Sequence, residues 1–235
     1  MKKLVVVTGG TKGIGKAVIE HFAREGFDIA TCSRNEEDLL RLQKEINNKY
    51  PDSTLHYCKA DLSEREQTIG FSKFVKELNV SIEVLVNNAG IFMPGQIHTE
   101  EEGVLEMTMN INLYSVYHLT RQLIGDMKRR KSGHIFNLCS TASIMPYING
   151  GSYCISKFAL LGMTKVLREE MKEHGVRVTA VLPGATLTAS WEGANLPPER
   201  FMKPEDVANA ILSAYKMSEQ SVVEELLIRP QLGDI

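Results

Sequence analysis

The sequence predicts an α/β fold: a single domain built on a doubly wound, seven-stranded parallel sheet with helices on both faces. Three observations predict it. Short β-branched apolar runs alternate with amphipathic stretches along the whole chain. The runs are near-continuously apolar, as strands covered on both faces of a parallel sheet must be. No linker, repeat, low-complexity segment or charge block divides residues 1–235, a length that suits one α/β domain with a sizeable core.

The elements follow in order. The first strand is expected at 3–8, where Leu4-Val5-Val6-Val7 ends at Thr8-Gly9, and the first helix at 14–25. Strands at 28–33 and 54–59 flank a helix at 36–48, and a helix at 64–78 leads to a strand at 84–87. A long helix at 105–130 precedes the fifth strand, 134–140; a second at 152–174 precedes the sixth, 177–182; the last strand is expected at 222–228. Ligands of such sheets bind beyond the carboxyl ends of the strands, where strand order reverses. Gly9, Arg34, Asp61, Asn88, Ser140 and Pro183 all fall at those ends.

Composition narrows the function. A formal net charge of −2 gives no electrostatic reason to expect nucleic acid or an anionic membrane as a partner. The basic run Lys128-Arg129-Arg130-Lys131 sits where a helix should end, so it complements the helix dipole. The apolar run after Lys2-Lys3 is too short for a signal peptide, and no segment is long enough for a membrane span. Four cysteines lie far apart without metal-ligand spacing, which fits a reducing cytoplasm. Glu100-Glu101-Glu102 reads as an acidic first helical turn, and His21 as a solvated helix residue. No metal site is expected, and no Gly-x-Ser-x-Gly elbow supports a serine hydrolase.

The first strand runs into Thr8-Gly9-Gly10-Thr11-Lys12-Gly13-Ile14-Gly15. Glycines let the backbone approach a pyrophosphate, and the helix that follows offers free N–H groups and a positive dipole end. Gly9, Thr11, Lys12, Gly13, Ile14 and Gly15 are therefore candidate dinucleotide contacts. The second strand ends Cys32-Ser33-Arg34: Ser33 holds the place where an acid would bond the adenosine ribose, and Arg34 follows. A guanidinium attracts a 2′-phosphate that a carboxylate would repel, so NADP(H) is expected rather than NAD, with Lys12 as a second cation.

Tyr153 and Lys157 stand four apart on a helical segment, on one face, with Ser140 at the end of the fifth strand. A neighbouring ammonium would lower the phenol's ordinary value near 10 toward a working range. These residues, with the glycine loop, resemble the short-chain dehydrogenase/reductase family. Its Thr-Gly-xxx-Gly-x-Gly motif matches Thr8, Gly9, Gly13 and Gly15, and its Asn-Asn-Ala-Gly signature matches Asn87-Asn88-Ala89-Gly90. Asn112, Ser140, Tyr153, Lys157 and Pro183-Gly184 match in order, with Thr188 at the position that usually holds the nicotinamide amide.

The resemblance implies a Rossmann fold and NADPH-dependent reduction of a carbonyl to an alcohol. It makes Tyr153 the proton donor, Ser140 the partner of the carbonyl oxygen, and Lys157 the holder of the ribose hydroxyls. Asn112 would interrupt its helix to hold a water, and Asp61-Leu62 would meet the adenine. It also implies a homodimer or homotetramer built on the helices at 105–130 and 152–174. The tail from 222 to 235 and the segment around Tyr153 are similar to a bacterial sepiapterin-reductase-like branch. Pocket walls are expected around Phe92, Met93, Ala142, Met145, Tyr147 and Trp191, where no Arg or Lys stands out, so a small neutral carbonyl substrate is expected. A pterin side chain or diketone fits, with 3-oxoacyl thioester reduction as a rival. A non-catalytic NADP(H) sensor or scaffold is the alternative of another class.

Overall fold

A computed structural model describes residues 2–191 and 196–235. Seven strands, β1 (Lys3–Thr8), β2 (Asp28–Ser33), β3 (Leu55–Lys59), β4 (Ser81–Asn87), β5 (His134–Leu138), β6 (Arg177–Pro183) and β7 (Glu225–Ile228), form one sheet. Their order is β3-β2-β1-β4-β5-β6-β7, and every neighbouring pair is parallel. Order therefore reverses between β1 and β4, which opens a crevice at their carboxyl ends.

The helices are α1 (Gly13–Arg24), α2 (Glu36–Lys49), α3 (Arg65–Glu77), α4 (Val104–Met109), α5 (Ser115–Arg130), α6 (Gly151–Met171) and α7 (Pro204–Tyr215). They cover both faces, and the period of two along β1 decides which residue meets which layer. Val5 and Val7 pack with Phe22 of α1 and Ile211 of α7, whereas Leu4 and Val6 pack with Phe71 of α3 and Leu123 of α5. A strand buried on both sides has no polar face to show, which is why its sequence does not alternate.

Differences from the expected boundaries have local causes. Strand β4 begins at Ser81, where it pairs with Lys3 of β1; Glu83, which disguises it as a polar stretch, is held by Arg130 Nη1 at 3.0 Å. Strand β5 stops at Leu138: Cys139 N turns back to Asn137 O, and Ser140 caps a short 3-10 turn at Thr141–Ser143. Strand β7 begins only at Glu225. The helix expected at 105–130 is two helices joined by a π-helical turn, Asn110–Tyr114, in which Ser115 N reaches Asn110 O. The basic run ends α5 as expected, with Lys131 as a left-handed cap. His21 departs from expectation: it is buried, its Nδ1 2.7 Å from Ala17 O. No described helix is long and apolar enough to cross a membrane.

Candidate active site

A cleft of about 680 Å³ runs over the carboxyl ends of β1, β2, β4, β5 and β6, from Arg34 at one end to Tyr147 and Trp191 at the other. Its first half is built on the loop after β1. Gly9, Lys12, Gly13 and Ile14 line it, and Thr11 and Gly15 do not. Gly13 has φ +52°, and a methyl group there would lie 2.9 Å from Thr188 Cγ2, closing the gap between the loop and the chain after β6. Gly10, which the motif leaves free, proves equally constrained: a Cβ there would stand 2.3 Å from Ile19 and from Thr31 Oγ1.

Two features of α1 suit an anion. No described side chain caps its N-terminus, and its first turn carries no acid, so its leading N–H groups face the cleft's glycine loop without a charged competitor among the described residues. The loop is held from below by Asn88. Its Nδ2 donates to Thr8 O and Gly9 O at 2.9 and 3.0 Å, and the amides of Asn88 and Ala89 donate to Thr8 Oγ1. Asn88, Ala89 and Gly90 line the cleft as expected, but the Asn88 side-chain amide is spent on the loop. A dinucleotide's diphosphate fits these residues.

At the outer end Ser33, Arg34, Asp61 and Leu62 line the cleft with Cys32 and Ala60. One oxygen of Asp61 accepts from Ser63 N and Ser63 Oγ, so the carboxylate is oriented before any adenine meets it. Exposed Arg34 shares a side pocket with Lys59. Sequence reasoning missed Lys59, because only the β2–β3 register, Ser33 opposite Lys59, brings it to Arg34.

At the inner end the structure brings Ser140, Tyr153 and Lys157 onto one wall. Ser140 Oγ accepts from Ala142 N at 3.1 Å, which aims the hydroxyl into the cleft. The ring of Tyr153 meets Phe92 edge-on at 5.0 Å. Lys157 is buried, its Nζ donating to Leu138 O at 2.6 Å and lying 5.7 Å from the centre of the Tyr153 ring. The expected lowering of the phenol is not found here. Burial pushes Tyr153 above its ordinary value, with the Ser140 hydroxyl pulling the other way. Burial also lowers Lys157 to about 8. The ammonium is turned toward a carbonyl, so desolvation outweighs its help to the tyrosine.

That shift has a consequence for stability. The unfolded lysine binds its proton up to about 10.5, whereas the folded one releases it near 8. The cost of burying the charge is present in full below pH 8 and is relieved as pH rises toward 10.5. Stability of the wild type relative to Lys157→Met should therefore rise across that window, by on the order of 3 kcal/mol. Urea midpoints of both proteins at pH 7 and pH 10 measure it; a constant difference would contradict the shift.

Asn112 lies in the π-helical turn, buried behind the wall. Its Oδ1 accepts from Ile91 N at 2.9 Å, and its Nδ2 donates to Ile91 O and to Ser156 Oγ, both at 3.0 Å. It ties the loop after β4 to α6. Pro183, Gly184 and Thr188 line the cleft opposite.

Of the expected pocket walls, Phe92, Met145, Tyr147 and Trp191 line the cleft, and Met93 and Ala142 do not. Ala142 is sealed in the short turn after Ser140. Trp191 also meets Phe201 edge-on at 5.2 Å. Asp234 and Ile235 line the cleft too, and Arg229 reaches its rim, with Nη2 3.2 Å from Met145 Sδ and Nη1 3.4 Å from Asp234. Arg229 stands outside the walls expected from the sequence and is paired with Asp234. Strand β7 carries the tail to that rim by pairing with β6, and nothing local in the sequence signals it.

A doubly wound sheet with a glycine loop and an uncapped helix at its switch point is a nucleotide-binding α/β protein. The chain belongs to the short-chain dehydrogenase family of oxidoreductases, whose sequence profile matches residues 3–198. It is 33% identical to a sepiapterin reductase of Chlorobaculum tepidum, over all of this chain and 99% of that one. An alcohol dehydrogenase of the archaeon Thermococcus sibiricus, complexed with 5-hydroxy-NADP, superposes with a TM-score of 0.92 at 26% identity, covering 100% and 99% of the two chains. A metagenomic short-chain oxidoreductase in complex with NADP superposes with a TM-score of 0.85 at 29% identity, covering 97% of each.

Proposed function

We propose that the protein is an NADPH-dependent carbonyl reductase. The observation that carries this reading is the convergence of Ser140, Tyr153 and Lys157 on one wall of a cleft whose other end is a glycine loop with Arg34 beyond it. NADPH, when bound, supplies the hydride. The loop and the N-terminus of α1 hold its diphosphate, and Arg34 with Lys59 holds the 2′-phosphate. The NADP carried by two solved relatives supports that assignment.

Tyr153 donates its phenolic proton to the substrate's carbonyl oxygen. Burial keeps that proton in place at neutral pH, as reduction requires of an acid. Ser140 donates a hydrogen bond to the same oxygen and so stabilises the charge that develops on it. Lys157 holds the nucleotide's ribose, and its charge beside Tyr153 favours the phenolate left after transfer. Asn112 keeps the loop after β4 and the helix of Tyr153 in register.

The inner wall of Phe92, Met145, Tyr147 and Trp191 suits a flat, neutral carbonyl compound. A pterin side chain is favoured by the full-length similarity to a sepiapterin reductase. The test is loss of reduced-nicotinamide absorbance with NADPH, then NADH, against sepiapterin, diketones, aldehydes and acetoacetyl thioesters. Turnover that favours NADPH supports the reading, and the best substrate fixes the branch. Tight NADPH binding with no turnover on any member of the panel would reverse it in favour of a sensor.

A homo-oligomer is part of the same proposal. Leu105 and Met107 of α4, Tyr114 of the π-helical turn, Tyr117 of α5 and Phe158 and Val166 of α6 are large apolar side chains left exposed. Light scattering should report a dimer or tetramer at micromolar concentration; a monomer would remove this part.

A further inference from the structure

The sequence places Glu100 in the first turn of its own helix, but α4 starts only at Val104. Glu100 instead reaches across the chain to the start of α6, 52 residues on. Its Oε1 accepts from Ser152 N at 2.9 Å, and its Oε2 accepts from Ser152 Oγ. That end of α6 needs an outside partner. Its own N-cap is Gly150, which has no side chain to offer, and Gly151 follows with φ +21°. A Cβ at Gly151 would collide with the Glu100 carboxylate, and one at Gly95 would lie 2.7 Å from Glu100 Cγ, so these two glycines admit the acid.

The same segment grips the turn before α6 at two more points. Gly95 N donates to Asn149 O at 3.0 Å, and Gln96 Nε2 donates to Asn149 Oδ1 at 2.9 Å. Earlier in the segment, Ile91 is bonded to Asn112 and Phe92 touches the Tyr153 ring. Residues 91–100 thus form a strap anchored on Asn112, pressed against Tyr153 and closed by Glu100. Tyr153 is the third residue of α6, where an uncapped helix frays first.

We infer that Glu100 is a positioning residue for Tyr153, supplying from another segment the cap that the catalytic helix lacks. A carboxylate there satisfies a leading N–H group and complements the helix dipole. Without it the first turn loosens, and the phenol loses its fixed aim relative to Ser140. The end of the cleft that would take the nucleotide's phosphates is built on the loop after β1, the start of α1 and the end of β2, and is untouched. This inference rests on Tyr153 being the proton donor.

The experiment compares Glu100→Ala, Glu100→Gln and, as a control, Glu101→Ala at an exposed neighbour, using the best carbonyl substrate of the panel. Glu100→Ala should lower kcat by on the order of tenfold or more, since small misplacements of a catalytic group are costly, with KM for NADPH little changed. Glu100→Gln keeps an oxygen for Ser152 N and should recover most of kcat; Glu101→Ala should match the wild type. The pH profile separates aim from stability. Burial is what raises Tyr153, so a frayed turn that admits water should move the alkaline fall in rate to lower pH in Glu100→Ala and restore it in Glu100→Gln. The other groups around the phenol, Ser140, Cys139, Cys154, Tyr147 and Lys157, are unchanged in these variants.

If Glu100→Ala does not fold, Ser152→Ala removes only the hydroxyl contact and should show the same pH shift, smaller. Wild-type kcat in Glu100→Ala, or an equal loss of kcat and NADPH binding, overturns the inference. Should Tyr153→Phe keep its activity, the proton-donor reading fails instead. A dead Tyr153→Phe beside a fully active Glu100→Ala sinks the positioning role alone.

Discussion

Carbonyl reduction by Tyr153→Phe should fall by about 10²- to 10⁴-fold, the range a positioned general acid contributes, while NADPH binding stays nearly intact. The asymmetry follows from the geometry. Tyr153 belongs to the inner wall with Ser140 and Phe92, whereas the glycine loop and Arg34 lie toward the opposite end of the cleft. Removing one oxygen leaves the ring's edge-on contact with Phe92 in place, so the variant should fold. Steady-state rates, with NADPH affinity from fluorescence titration, make the comparison. Turnover within a few-fold of the wild type would remove the tyrosine as donor and leave Ser140 or a water to supply the proton.

Arg34→Asp should invert the cofactor preference. The guanidinium stands exposed at the end of β2, beside Lys59 and facing the outer end of the cleft. A charge-assisted hydrogen bond is worth roughly 1.5–3 kcal/mol, so losing it should weaken NADPH about ten- to hundredfold. The new carboxylate repels a 2′-phosphate and accepts from a ribose hydroxyl, so NADH should gain as NADPH loses. The ratio of kcat/KM values with the two cofactors reads this out. An unchanged ratio would mean that Lys59 or Lys12 carries the phosphate and that Arg34 is an ordinary surface cation.

The nucleotide half of the site is written in short stretches of chain. Gly9, Gly13 and Arg34 are legible because a strand end, a tight turn and a helix start are neighbours in sequence as well as in space. The inner wall is legible for a related reason: Tyr153 and Lys157 share a helix face, and the π-helical turn occurs where the sequence has Asn112 interrupt its helix. Local pattern misleads where distant parts of the chain supply a side chain's surroundings. Glu100 resembles the acidic start of a local helix until α6 is seen beside it, 52 residues away. His21 resembles a surface residue until α1 is packed against the sheet. Arg229, Asp234 and Lys59 carry no local pattern at all.

The sequence by itself determined the class of fold, the site's position at the strand ends, and the types of residue that meet there. Strand apolarity, helix periodicity and glycine placement are local constraints, each readable within one element. Only the tertiary structure decided which charges act. It turned the Lys157 ammonium onto Leu138 O, buried the lysine and half-buried the tyrosine, so Tyr153 is raised where its neighbour alone would lower it. It likewise closed α6 with an acid from another segment. Desolvation and long-range hydrogen bonds depend on what surrounds a group on every side, and that is fixed only when the layers pack.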